Sequence, residues 1–418
     1  MFWPDAQPNL KPLKHAAMLN PESLSETTPP DFEFDYIDIG SVTYGKGITG
    51  KQTMAFGDAP SRARKPVREN DLIISTVRTY LRAIAMISAS DQGNIASTGF
   101  AVCRPRGCTM PNFLYYAVHS QPFIEQVVAL STGMSYPTIN PSTLGDIKLP
   151  LPPLSEQTAI ARFLDHQTGR IDGLIEKKTR FIALLKEKRA AVITHAVTKG
   201  INPDVPMKDS GVEWIGEIPE HWQVLRIAAL FREVTRTPDP DLPVLSVSIH
   251  NGVTDDELAD EDRDRKVALS EDRTKYQGVA PGDLVYNMMR AWQGAFGAVT
   301  VKGLVSPAYV VAAPITEFRT KFIEHLLHTK SAAEEIRRFS RGIADFRMRL
   351  YWDHFRALRV VLPSPDEQDH ILSWIDRETA KIDGLITLTE RSIDLLREKR
   401  SALITAAVTG KIDVRNAA

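Results

Sequence analysis

Cysteine is nearly absent from this chain: Cys103 and Cys108 are the only two in 418 residues. That excludes a disulfide framework and suits a reducing cytosol. No second Cys or His pair stands near them, so they read as ordinary thiols and not as the start of a metal site. No apolar run approaches the ~18 residues of a membrane span. The segment Met1 to Leu10 lacks the basic-then-apolar order of a signal peptide. These absences point to a cytoplasmic protein. An excess of one charge sign is missing too. The 51 Lys and Arg against 52 Asp and Glu leave a net charge of −1, so no global basic field announces nucleic acid. The ten histidines are scattered, and no His, Ser or carboxylate constellation suggests catalysis.

Proline is absent, and glycine rare, from one stretch that occurs twice. Glu156 to Thr198 reads EQTAIARFLDHQTGRIDGLIEKKTRFIALLKEKRAAVITHAVT, and Glu367 to Thr409 reads EQDHILSWIDRETAKIDGLITLTERSIDLLREKRSALITAAVT. The two run without a gap at an offset of 211, with 23 of 43 positions identical. Ser155 and Asp366 sit where helix N-caps belong, after proline-rich stops at Pro150 to Pro153 and Pro363 to Pro365. Apolar residues recur in steps of three and four: Leu164, Ile171, Ile175, Ile182 and Leu185 in the first copy, Ile375, Ile382, Ile386, Ile393 and Leu396 in the second. That is a heptad seam. Forty-three helical residues span about 64 Å, more than one small domain can cover, so each stripe needs a partner helix and the other copy is the obvious one.

The rest of the chain falls into two divergent globular halves. Length predicts two to three domains. The expected division is 1–150 globular, 151–201 helical, 202–360 linker plus a second globular unit, and 361–418 helical. The linker, Asn202 to Lys208, holds Pro203 and Pro206. Leu13 onward (LKHAAMLNPESL) reads as a short helix. Tyr36 to Ile39 and Leu245 to Ser248 alternate like strands. Charge is segregated locally: Glu22 to Asp38 is acidic, whereas Lys46 to Arg82 carries eight Lys or Arg against Asp58, Glu69 and Asp71. Both halves contain an apolar strand leading into Arg and then an aromatic: Asp71 to Arg78 with Tyr80, and Asp283 to Arg290 with Trp292 and Gln293. Arg forks onto guanine, and Gln or Asn onto adenine. The plainer alternative is an Arg closing a strand with an ion pair. A second basic cluster holds Arg337, Arg338, Arg341, Arg347, Arg349, Arg356 and Arg359.

Two enzyme motifs are near-misses. Gly40 to Lys46 (GSVTYGK) approaches a phosphate-binding loop, but Gly47 stands where Ser or Thr should bind Mg, and no helical pattern follows. A loose nuclease pattern drawn from Pro240-Asp241 to Asp264-Arg265-Lys266 ends in a run of charges, not on an apolar strand. There is no NPPY-type amide-methylation motif and no Gly-rich S-adenosylmethionine loop.

The chain resembles the specificity subunit of type I restriction–modification systems nearly end to end. The resemblance rests on Leu149 to Gly200, on DSGVEWIGEIPEHWQVLRI (Asp209 to Ile227), on ENDLIISTVRTYLRAIA (Glu69 to Ala85) and on LLREKRSALITAAVTGKIDV (Leu395 to Val414). One departure is that the second helix region begins LPSPDEQ where the first has LPPLSEQ. The resemblance implies an α+β fold with two pseudo-repeated target recognition domains, separated by two long helices packed as an antiparallel coiled coil. Each domain would read one half of a bipartite double-stranded DNA site. The helices would set the spacing and dock two modification (methyltransferase) subunits, and restriction subunits would join them. The chain itself would be non-catalytic, with S-adenosylmethionine, ATP and Mg on its partners. The candidate DNA contacts are Arg62, Arg64, Lys65, Arg78, Tyr80 and Arg82 in the first half. In the second half they are Arg290, Trp292, Gln293, Arg347 and Arg349. The alternative is a coiled-coil scaffold holding two domains that bind protein.

Overall fold

The computed structural model describes residues 9–249, 252–254, 273–342 and 348–414. The chain divides into two compact units. One comprises residues up to Arg180 together with those from Glu390 onward, and the other runs from Phe181 to Thr389. Each unit therefore contains one globular half, the start of one long helix and the end of the other. Among the described residues no helix is long and apolar enough to cross a membrane.

In the first unit the strand Leu72–Ser75 is central. It pairs antiparallel with Phe100–Pro105 on one side and Ile84–Met86 on the other, and Ala17–Leu19 closes the far edge. Its unbroken apolar run follows from burial on both faces. Leu72 and Ile74 point into one core with Phe113, Leu114 and Phe123, while Ile73 points into another with Ile37, Val67 and Phe100. The helices Pro111–His119 and Gln121–Ala129 cover the first face. A mixed sheet ordered Gln52–Ala55, Glu33–Ile37, Ile95–Ser97, Ala63–Pro66 supplies the second.

The second unit repeats the plan. Leu284–Asn287 lies between Tyr309–Pro314 and Phe296–Ala298, with Phe231–Glu233 at the edge. Leu284 and Tyr286 face the core under the helices, and Val285 faces the other side. The aspartates opening these strands, Asp71 and Asp283, are both 1% exposed. Arg104 forks onto Asp71 at 2.9 and 2.8 Å, and Arg236 grips Asp283 in the same way. Each Asp also accepts a backbone N–H, from Arg68 or Ala280. The repeated Asp-Leu motif is thus a structural anchor, since an unpaired buried carboxylate would cost several kcal/mol.

The long helices span Leu154–Lys199 and Pro365–Val408. The seam positions are buried or half-buried along both, from Leu164, Ile171, Ile175, Ile182 and Leu185 to Ile375, Ile382, Ile386, Ile393 and Leu396. In the first unit Ile160, Ala161 and Leu164, near the start of one helix, share a core with Ile404, Ala407 and Val408 at the end of the other. In the second unit Ala196 and Val197 meet Ile371 and Ile375 in the reciprocal arrangement. Where the first long helix begins, fully buried Gln157 accepts from Met110 N and donates to the Cys108 and Pro152 carbonyls. Gln368 does the same with Arg319 N and the Pro363 carbonyl.

Local expectations differ in three places. Ser155 and Asp366 are not N-caps but lie inside the first turns, because the helices already begin at Leu154 and Pro365, and Ser364 Oγ accepts from Glu367 N at the start of the second. The helix from Leu13 is a single turn, Leu13–Ala16, and the chain then turns into the strand Ala17–Leu19 because Phe100–Pro105 offers it an open edge. Gly40 lies in a 3-10 turn, Ile39–Ser41, followed by the hairpin Val42–Thr43 with Gly47–Ile48 and no helix. The phosphate-loop geometry is therefore absent there. Asp264 to Lys266 lie outside the described residues.

Candidate nucleic-acid interface

In each unit the central strand runs into a short 3-10 turn that returns as the next strand. The first turn is Thr79–Leu81, between Leu72–Ser75 and Ile84–Met86, and the second is Ala291–Gln293, between Leu284–Asn287 and Phe296–Ala298. A loop following the helices is pinned to each turn. In the first unit Ile139 N donates to Thr76 O at 2.9 Å, and Thr132 and Thr138 exchange two backbone bonds of 2.8 Å. In the second, Leu350 N donates to Met288 O at 2.9 Å, and Arg341 and Arg349 exchange two of 2.9 Å. Strand ends thus hold the stems of both loops in place.

The first turn presents cations and rings together. Arg78 and Arg82 flank it, both in the left-handed region at φ 49° and 51°. That conformation costs a non-glycine residue about 1–2 kcal/mol. Of the four non-glycine residues with positive φ among the described residues, the other two are Asn20 and Asn70, a type that tolerates it. Such strain persists on two arginines of one turn only because the surrounding structure holds it. The Arg78 guanidinium lies 4.8 Å from the centre of the Tyr136 ring, and Arg82 lies 5.7 Å from that of Tyr44. Such contacts contribute only ~0.5–1 kcal/mol when exposed. They orient the guanidinium planes without neutralising them. Tyr80, Leu81, Tyr136 and Met134 are all exposed around the turn.

The remaining first-half candidates lie on the mixed sheet. Arg62 is exposed, and no hydrogen bond or ion pair holds its side chain among the described residues. Arg64 stacks 4.7 Å from the Phe56 ring centre and donates to Ala63 O. Lys65 turns inward, donating to the Phe100 and Thr98 carbonyls, and burial holds its ammonium below the usual lysine range. That ammonium ties the two sheets together.

In the second unit Arg290 and Trp292 are half-buried and Gln293 is exposed. Trp292 donates to Met289 O at 3.2 Å, and Arg337 sits 5.1 Å from its ring centre. Arg349 is exposed at the loop stem, opposite Arg341. Arg347 lies outside the described residues.

The arginines of this chain thus sort into two sets. Arg104, Arg189, Arg236, Arg319 and Arg400 are spent on carboxylates. Arg62, Arg78, Arg82, Arg341 and Arg349 have no carboxylate partner among the described residues, and Arg78, Arg82, Arg341 and Arg349 gather at the turns and their loops. Sequence reasoning found the turn arginines but missed Tyr44, Met134 and Tyr136. These arrive from segments distant in sequence, and only their residue type and loop setting hinted at them.

Comparison with known proteins bears on what this arrangement serves. Residues 31–181 match the family described as the type I restriction modification DNA specificity domain. Over part of its length the chain is similar to type I specificity subunits. It is 25% identical over 218 residues to the type I restriction enzyme MjaVIII specificity subunit of Methanocaldococcus jannaschii, covering 52% of this chain and 45% of that protein. It is 32% identical over 162 residues to the putative MjaX specificity subunit of the same organism, covering 38% and 36%. The matched stretches thus span less than half the length of these curated relatives. The fold extends further than the sequence match. A chain from a type I R-M system solved for its complex assembly and conformational transition aligns with a TM-score of 0.69 at 19% identity, covering 96% of this chain and 98% of that one. The HsdS subunit of Thermoanaerobacter tengcongensis aligns with a TM-score of 0.51 at 20% identity, covering 98% of each.

Proposed function

We propose that this chain is a type I specificity subunit, the non-catalytic DNA reader of a restriction–modification complex, each unit recognising one half of a bipartite site. One observation carries the reading. The same strand–turn–strand scaffold occurs in both units, yet it displays different side chains, with cations left unspent by the fold. A shared scaffold with divergent contacts is what two different half-sites require. A near-neutral chain binds DNA weakly by itself, because affinity depends on the number of phosphates neutralised. Two modification subunits, and restriction subunits with them, supply the remaining charge and carry S-adenosylmethionine, ATP and Mg. The paired long helices serve as the spacer, holding half-sites about one helical turn, ~34–36 Å, apart on one face of the duplex, and they dock the modification subunits.

The test is a genome-wide map of methylated adenine in cells that express the modification partner, with and without this gene. A bipartite motif that disappears on deletion supports the reading. An unchanged map, with the partner active, overturns it in favour of a protein-binding scaffold.

A further inference from the structure

Arg341 and Arg349 stand directly opposite each other at the stem of their loop, joined by two backbone bonds of 2.9 Å. Facing residues of such a pair project to the same side, and like charges so placed destabilise each other. Both are exposed, and neither side chain has a hydrogen bond or carboxylate partner among the described residues. The equivalent stem in the first unit carries Thr132 and Thr138, also exposed and bonded in the same way. The two stems therefore share a backbone and differ in chemistry: two hydroxyls in one, two guanidiniums in the other.

A grip on phosphates carries no sequence information, and both halves would need it equally. Side chains that differ at matching rigid positions are placed to read bases. Two residues facing each other across a bridge present their side chains together, and in the major groove Arg forks onto guanine O6 and N7. The stem is fixed to the end of the central strand by the 2.9 Å bond from Leu350 N to Met288 O, so its side chains start from a defined position. We infer that Arg341 and Arg349 are the specificity-determining pair of the second unit, reading guanine in the second half-site, and that Thr132 and Thr138 make the first half-site differ. This rests on the DNA-reading role proposed above.

The experiment maps adenine methylation in cells expressing the complete complex with wild-type subunit, with Arg341→Thr/Arg349→Thr, or with Arg341→Lys/Arg349→Lys. It then measures binding to the mapped duplex and to copies with each second-half G·C pair replaced. The threonine pair already sustains this stem in the first unit, and the lysine pair preserves charge, so at least one variant retains the fold. The expected result is about a tenfold or greater loss of discrimination at one or two G·C pairs of the second half-site in both variants. The first half-site stays unchanged. The lysine variant keeps most of its overall affinity, because point charges still meet phosphates but lack the fork. A second half-site without any G·C pair overturns the inference while leaving the bipartite-reader role intact. So does a uniform fall in affinity with discrimination unchanged, which identifies a phosphate grip. Absence of any bipartite motif in the wild type overturns both.

Discussion

Arg400 Nε donates to Asp172 at 2.9 Å, joining the end of the second long helix to the first. Displaced by 211 residues in both partners, Arg189 Nε donates to Asp383 at 2.9 Å in the other unit. Both arginines occupy seam positions where a heptad pattern calls for an apolar residue. Each reaches across to an acid that directly follows a seam isoleucine on the facing helix, Asp172 after Ile171 and Asp383 after Ile382. Arg400 has 13% of its side chain exposed and Asp172 has 48%, so solvent screens the acid but little of the guanidinium. Pairs that wet contribute roughly 0.5–1 kcal/mol. A double-mutant cycle of Arg400→Ala and Asp172→Ala should give coupling in that range. Arg400→Ala alone should cost about 1–2 kcal/mol, because the half-buried stem also packs. Coupling of about 3 kcal/mol or more in chemical denaturation would mean the pair behaves as fully buried.

Gln157 makes a sharper prediction. Its amide satisfies one backbone N–H and two carbonyls while fully buried, tying the start of the long helix to the loop before the helix at Pro111. Gln157→Leu keeps the apolar volume and leaves those groups unmet, at about 1–3 kcal/mol for each group that water cannot reach. The midpoint of chemical denaturation should fall well beyond the effect of an exposed change such as Gln223→Leu. Equal effects would show that water enters and replaces the amide.

The long helices and their seam were legible because local signals agreed, absent prolines and a sustained three-four spacing, whereas their caps were misplaced by a residue or two, since a proline is tolerated in a helix's first turn. The role of Gln157 was not, since a glutamine in a first turn looks like any helix residue until the Met110 N–H comes to meet it. The strand Ala17–Leu19 hid inside a helical pattern because its pairing partner is Cys103 to Pro105, far along the chain. At the candidate interface the turns were visible as strand, Arg, aromatic. What escaped was which cations the fold consumes. Lys65 and Arg78 look alike in a basic segment, yet one holds two carbonyls and the other meets only a ring. Charge runs reveal composition, and only tertiary partners reveal which charges remain available.

Two buried histidines set a pH dependence. Burial depresses His119 to about 4 and His325 to about 3, and each leaves a ring Nε2 without a partner among the described residues. Unfolded, both return to about 6.5. Between those values the unfolded chain binds more protons, so stability rises with pH there and is lost as pH falls below about 6.5. From pH 7.5 to pH 5 each histidine should remove about 2 kcal/mol. Carboxylates held low by cations, such as Asp369 beside Arg319, add their losses only at lower pH. His119→Gln should flatten part of the slope in denaturation measured across that window. A slope unchanged by the substitution would assign the acid sensitivity elsewhere.

Arg82 and Gly294 occupy the same place at the end of the two turns, with φ 51° and 97°. Glycine is the residue that such a conformation favours, and the second unit uses it. The first unit keeps an arginine there, its guanidinium over Tyr44 and no carboxylate paired with it among the described residues. Selection for stability alone would favour glycine, since relief of left-handed strain at ~1–2 kcal/mol outweighs the ~0.5–1 kcal/mol entropy cost of glycine. Arg82→Gly should therefore leave the melting temperature unchanged or slightly raised, while methylation at the mapped site falls by roughly tenfold, the scale of one lost charged DNA contact. Arg82→Lys should recover part of that loss if the contact is to phosphate, and little if it is to a base. A variant that melts lower and methylates normally would make Arg82 a structural residue and remove it from the interface.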